Sequence, residues 1–168
     1  MRISLCCAVM LLHVGAAAAA PPYRAGFTEI EVRGETPFPL AVWYPTQAAE
    51  TTWPGGLFDV RAARNAPALP GRFPLILLSH GSGGDQFHQH DWGSQLAREG
   101  FVVAAPTHPG DSQGDVSGRG SDVQLTGRPW RIREALDTLK ADPAVAPSID
   151  TARIGMVGYS AGGYATVV

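Results

Sequence analysis

A chain of 168 residues has room for one domain. Hydrophobic residues at 45% and charged residues at 17% describe a globular core rather than a disordered tail. The formal net charge of −2 leaves no basic excess, which excludes partners held by bulk positive charge, nucleic acid and anionic membrane surfaces among them.

Arg2 supplies a positive start, Ile3 to Val14 form a short apolar run, and Gly15 to Ala20 end it in small residues. This order predicts a secretory signal peptide over residues 1–20, cleaved near Ala18 to Ala20. The protein is then periplasmic or secreted, and meets a membrane only through that transient segment. An uncleaved anchor fits less well, because the run is short for a bilayer and contains His13. Cys6 and Cys7 precede most of the apolar run, whereas a lipidated cysteine normally follows it. Residues 21–168 contain no cysteine, so disulfides, thiolate nucleophiles and Cys-ligated metals drop out.

Phe27 to Val32 alternate apolar and polar and predict a half-buried strand; Phe38 to Tyr44 predict a second. Residues 45–71, rich in Ala, Pro and Gly, show no clean period and read as a surface excursion. Phe73 to Ser79 form a continuous apolar run, the mark of a strand covered on both faces. A helix is predicted over Gln86 to Glu99, ended by Gly100. Another apolar strand, Phe101 to Ala105, stops at Pro106, and a Gly/Asp/Ser-rich loop fills 107–127. Pro129 is placed to open a helix whose apolar stripe is Ile132, Ala135, Leu136 and Leu139. Arg153 to Gly158 read as a third buried strand, and a new helix begins at Ala161. Two antiparallel strands followed by strand–helix–strand–helix–strand give an α/β fold: a mixed, mostly parallel sheet with helices on both faces. Ligands in such sheets sit beyond the carboxyl ends of the strands. Those ends are the loops starting at His80, Thr107 and Tyr159.

The last of these loops carries Gly158-Tyr159-Ser160-Ala161-Gly162-Gly163. A Gly-x-Ser-x-Gly string is weak by itself; lying between an apolar strand and a helix, it has the context of a nucleophile elbow. A strand that turns straight into a helix strains the residue at the bend and points its side chain outward. Gly158 and Gly162 leave room for strand and helix to approach that bend. Ser160 then stands as the nucleophile, with the Ala161 N–H as one oxyanion donor. The loop His80-Gly81-Ser82-Gly83-Gly84 is expected to bring the second, assigned to the Ser82 N–H with Gly83 as the alternative register. His80 is expected to position the loop rather than move protons. Tyr159, His80, Gly81, Gly83 and His108 are expected to line the substrate pocket. The other reading of His108 is a turn residue beside Pro109, and Asp111 reads as a turn former.

Other chemistries fare worse. A dinucleotide loop starting Gly81-x-Gly83 needs a third glycine where Gln86 stands, and no Gly-Lys pair exists for a phosphate loop. His88-Gln89-His90-Asp91 resembles a metal motif, but Trp92 and Gly93 stand where its next ligands belong.

Taken in order, His80-Gly81-Ser82-Gly83-Gly84, Pro106-Thr107-His108-Pro109-Gly110, Arg128-Pro129 and Gly158-Tyr159-Ser160-Ala161-Gly162-Gly163 resemble secreted bacterial dienelactone-hydrolase-like proteins, relatives of platelet-activating-factor acetylhydrolases. Val42-Trp43-Tyr44-Pro45 is similar to that group as well. The resemblance spans residues 27–168. It implies an α/β-hydrolase fold and hydrolysis of small-molecule carboxylic esters through an acyl-serine, with neither metal nor organic cofactor. In that fold the order is Ser, then an acid, then His. None of the residues after Ser160 is acidic or a histidine, so both partners are expected beyond Val168 and the domain is expected to be incomplete at its C-terminus. Cut there, the Ile154 strand becomes an open apolar edge, and the chain alone is expected to be poorly soluble and without turnover. The alternative to an enzyme is a secreted binding protein, or a gene fragment, that keeps the fold signature without activity.

Overall fold

A computed structural model describes residues 21–167. The expected signal peptide over residues 1–20 lies outside the described residues. Strands β1 (Arg24–Val32) and β2 (Phe38–Thr46) pair antiparallel, with Val32 opposite Phe38 at the turn and Arg24 opposite Thr46 at the far end. β5 (Phe73–Ser79), β6 (Val102–Pro106) and β7 (Ile149–Gly158) are mutually parallel. Each returns through a helix, as parallel strands must. β2 joins the two groups by pairing antiparallel with β6.

Residues 45–71 depart from the surface excursion expected of them. They contain a hairpin, β3 (Thr51–Gly55) and β4 (Phe58–Arg64), whose second strand docks parallel to β1. The sheet is therefore seven-stranded, in the order β3-β4-β1-β2-β6-β5-β7. Tertiary packing holds this hairpin in place. Trp53, Val60 and Ala62 turn inward, and the Trp53 ring lies 4.7 Å from Phe27. Glu50, just before β3, receives Arg98 Nε at 2.9 Å and Nη2 at 2.7 Å, a bidentate tie to the neighbouring helix.

Alternation along the strands divides the core. Leu40, Val42 and Tyr44 of β2, with Val102 and Ala104 of β6, face one helix layer; Ala41 and Trp43, with Val103 and Ala105, face the other. Helix α1 (His90–Arg98) covers the second face through Ala97, with Phe87 from the turn before it. It starts four residues later than expected, because residues 82–89 are spent in turns, among them the Asp85 carboxylate accepting the Phe87 N–H at 2.9 Å. Gly100 ends it with φ +91°, as a C-terminal glycine should.

Helix α2 (Asp122–Ala141) covers the first face through Ile132, Ala135 and Leu139. Pro129 does not open it but sits inside it, and the preceding loop is correspondingly shorter than 107–127. The extra turns at its start carry Gln124 and Arg128, a pair on one helix face that both bond Asp111. Those bonds tie the turns before the proline to the Asp111 loop. β7 is the sheet's edge, the open edge expected of the Ile154 strand in this chain, and Ile154 on it is 40% exposed. Its register against β5 slips between Pro74 and Leu75, after which pairing is regular to Ser79 opposite Gly158. Helix α3 (Ala161–Tyr164) follows two residues later.

Candidate active site

The carboxyl ends of β5, β6 and β7 lie side by side, so the loops at His80, Thr107 and Tyr159 converge on one rim. At the end of β7 the chain turns in two residues. The Tyr159 N–H donates to the Ser79 carbonyl at 3.1 Å, the last ladder bond; the Gly162 N–H then donates to the Tyr159 carbonyl at 2.9 Å and the Tyr164 N–H to the Ser160 carbonyl at 3.1 Å. Between them Ser160 adopts φ +52°, ψ −117°, a conformation that L-residues avoid. Ser160 is exposed, and Tyr159 beside it is 72% exposed.

The two flanking glycines are required by contact. A Cβ on Gly158 would lie 2.1 Å from the Gly162 carbonyl oxygen. One on Gly162 would lie 2.0 Å from the Ser79 carbonyl oxygen and 2.8 Å from that of His80. The bend is thus compressed both against itself and against the end of β5. Gly81 also lies close, less tightly, since a Cβ there would meet the Tyr159 ring at 3.0 Å. Ser160 and the His80–Gly84 loop are therefore neighbours, as the sequence reading requires.

Beneath that loop is a buried polar cluster. His80 Nε2 accepts the His108 N–H at 3.2 Å, so its hydrogen is on Nδ1, which donates to the Gly81 carbonyl at 2.7 Å. His108 Nε2 lies 2.8 Å from Ser79 Oγ. Both histidines are 1% exposed and their rings stand 4.7 Å apart. Burial, with the Arg128 charge as a further cause, lowers the His80 pKa to about 4, although its bond to Gly81 pulls the other way. Burial, then His80 and Arg128, drive His108 well below the ordinary imidazole value. Their rings present no surface to a ligand. Pocket lining by the His80 and His108 side chains is accordingly replaced by a supporting position under the loop, and Gly81 too is buried. Neither imidazole bonds Ser160.

Asp111 and Arg128 complete the cluster; the sequence reading has Asp111 as a turn former and Arg128 only as part of the Arg128-Pro129 motif, and gives neither a place in the site. Arg128 is 1% exposed; it donates to the His80 carbonyl through Nη1, to the Gly81 carbonyl through Nη2 at 3.4 Å, and to Asp111 Oδ2 at 2.7 Å. Asp111 also accepts the Ser82 hydroxyl at 2.6 Å, the Gly83 N–H at 3.1 Å and Gln124 Nε2 at 2.8 Å. Burial alone would raise its pKa; the bonds from Ser82, Arg128 and Gln124 prevail and hold it down at about 2. Asp111 is thus a buried, fully bonded carboxylate rather than a simple turn former. The one sequence signal was the spacing of Gln124 and Arg128, which a reading that starts the helix at Pro129 discards.

A cavity of about 780 Å³ lined by Tyr23, Glu50, Arg61, Trp92 and Arg98 lies where β1 begins, at the opposite end of the sheet from Ser160. Among the described residues no group of three or more His, Cys, Asp or Glu is arranged to hold a metal ion.

Sheet order, helix placement and the bend at Ser160 decide the architecture. The chain has the α/β-hydrolase fold. No family model and no curated protein matches it. Solved structures do: a ferulic acid esterase from Streptomyces cinnamoneus superposes with a TM-score of 0.71 at 22% identity over 92% of this chain and 56% of that one. A protein named m3DLH gives 0.59 at 20% identity, over 86% of this chain and 53% of that one. An acylaminoacyl peptidase from Pyrococcus horikoshii gives 0.56 at 16% identity, over 86% of this chain and 21% of the peptidase. The chain spans just over half the length of the first two, and it corresponds to the N-terminal part of the α/β-hydrolase fold.

Proposed function

We propose that the protein is an exported serine hydrolase that cleaves carboxylic esters through an acyl-serine intermediate. The observation that carries this reading is the strained backbone of Ser160, at φ +52°, held between a parallel strand and a helix. Strain of that kind survives only where packing over-determines it, and here it lifts a hydroxyl onto the rim where ligands of such sheets bind. In this reading Ser160 Oγ attacks the ester carbonyl. Ala161 and Ser82 donate their N–H groups to the oxygen that becomes negative, and Gly158 and Gly162 permit the bend. Tyr159, exposed beside the serine, is the wall nearest the substrate, with Gly83 across the loop. A serine hydroxyl needs an imidazole to remove its proton and a carboxylate to orient that imidazole. These partners are proposed to come from the part of the fold that the structural neighbours have and residues 21–167 do not.

The substrate class is small carboxylic esters, dienelactone-like or of short acyl chains; ester chemistry in the ferulic acid esterase supports the class but not its members. One observation favours the rival, a binding protein that keeps the fold: among the described residues no histidine or carboxylate bonds Ser160. A fluorophosphonate probe on the protein made from its complete reading frame separates the two. An enzyme labels, and labelling vanishes with Ser160→Ala; a folded wild-type protein that never labels refutes the proposal.

A further inference from the structure

The ion pair between Asp111 and Arg128 lies under the loop that is to supply an oxyanion donor, and it constrains that loop one peptide at a time. The Gly81 carbonyl accepts three donors: the Gly84 N–H at 3.1 Å, His80 Nδ1 at 2.7 Å and Arg128 Nη2 at 3.4 Å. A trans peptide is planar, with its C=O and N–H pointing opposite ways, and the described chain has no cis peptide. Turning the Gly81 oxygen inward therefore turns the Ser82 N–H outward. That N–H finds no acceptor among the described residues, whereas the next amide, Gly83, is already committed to Asp111 Oδ1 at 3.1 Å. The Ser82 hydroxyl is tied to the same carboxylate oxygen at 2.6 Å, which stops the serine from turning over. Gly81, against Tyr159, keeps the whole loop beside Ser160.

We propose that Asp111 and Arg128 are positioning residues that select the oxyanion donor: Arg128, together with His80 Nδ1 and the Gly84 N–H, holds the Gly81 carbonyl inward, so freeing the Ser82 N–H, while Asp111 takes the Gly83 N–H out of competition. The proposal rests on the serine-hydrolase reading. It also decides between the two registers that the amino-acid pattern leaves open, in favour of Ser82.

Breaking one side of a buried ion pair destabilises a fold whatever its role, so a melting temperature does not test the idea. The discriminating measurement uses the protein from its complete reading frame, a short p-nitrophenyl ester and its thionoester, in which sulfur replaces the carbonyl oxygen and accepts hydrogen bonds poorly. Asp111→Asn keeps the shape but sets an amide N–H against one of the donors it faces. Arg128→Lys keeps the charge but loses the fork that reaches both a carbonyl and the carboxylate. Both variants are expected to lower kcat for the ester, Asp111→Asn by about 10- to 100-fold, with KM within about 2-fold, a smaller loss than the roughly 100- to 1,000-fold of removing an oxyanion donor outright, because the donor is misplaced and not deleted. The ester-to-thionoester ratio of kcat/KM is expected to fall in step, which a purely structural ion pair would not produce. Should the single variants not fold, Asp111→Leu/Arg128→Met, which leaves no charge buried alone, is held to the same expectation. Wild-type kcat and an unchanged ratio in any folded variant overturn the positioning role while the hydrolase reading stands. A wild-type protein that neither turns over nor takes the fluorophosphonate overturns both.

Discussion

Replacing Gly162 by alanine adds one methyl group at the point where α3 meets the end of β5. The φ of Gly162 is not in the left-handed range, so alanine suits the backbone and the whole effect is contact. The new Cβ would lie 2.0 Å from the Ser79 carbonyl oxygen, and real Cβ atoms essentially never approach below 3.0 Å. Both obstacles, the Ser79 and His80 carbonyls, are backbone, so no side-chain rotation relieves them. The bend must open from the strand end by about 1 Å. A displacement of that size at a reacting centre costs on the order of 100-fold in rate. The overpacking itself costs about 1–3 kcal/mol of stability. Fluorophosphonate labelling rates and thermal melts of wild type and Gly162→Ala measure the two effects separately. Gly114→Ala serves as the control, since a Cβ there meets nothing within 4 Å. A Gly162→Ala protein that labels at the wild-type rate with an unshifted melt would refute the compressed bend and, with it, the mechanical account of Ser160.

Acid should destabilise the fold in two stages. His80 has a folded pKa of about 4 against the ordinary 6.5, so the unfolded chain binds its proton first and stability falls as pH drops from about 6.5 to 4. Up to about 3 kcal/mol is at stake at this one site. Asp111, with its pKa held at about 2, contributes stability that is present above pH 4 and lost below it. Urea titrations from pH 7 to pH 3 test both stages: a flat profile between pH 6.5 and 4.5 sinks the first, and His80→Gln is expected to make it shallower, the remainder coming from His108, which burial also holds below its ordinary value. In the core, Leu139 of α2 is 0% exposed, in one buried cluster with Leu40, Val102 and Ala104, and Leu139→Ala should cost about 2–5 kcal/mol in chemical denaturation. A loss under 1 kcal/mol would mean that α2 is not seated as described.

Chain-local chemistry was enough to read the central strands and the bend. Phe73–Leu78 is apolar throughout because the strand lies within the sheet between two helix layers, and that needs no partner to recognise. Gly158-x-Ser160-x-Gly162 after an apolar strand likewise carries its geometry in its own atoms, since only glycine fits where strand and helix nearly touch. The hairpin at 51–64 was not legible, because its strands are held by Trp53 against Phe27 and by Glu50 against Arg98, contacts across the fold.

What the amino-acid order determined alone was thus the central strands, the presence of a helix after each and the bend at Ser160, all set by interactions within a few residues. Only tertiary structure decided the remainder. It buried His80 and His108 below the loop, ran α2 through Pro129, and paired Asp111 with Arg128, seventeen residues further along. The physical reason is that burying a charge is tolerable only when a partner meets it in the right geometry. Such partners are chosen by the folded surface, and no local pattern announces them.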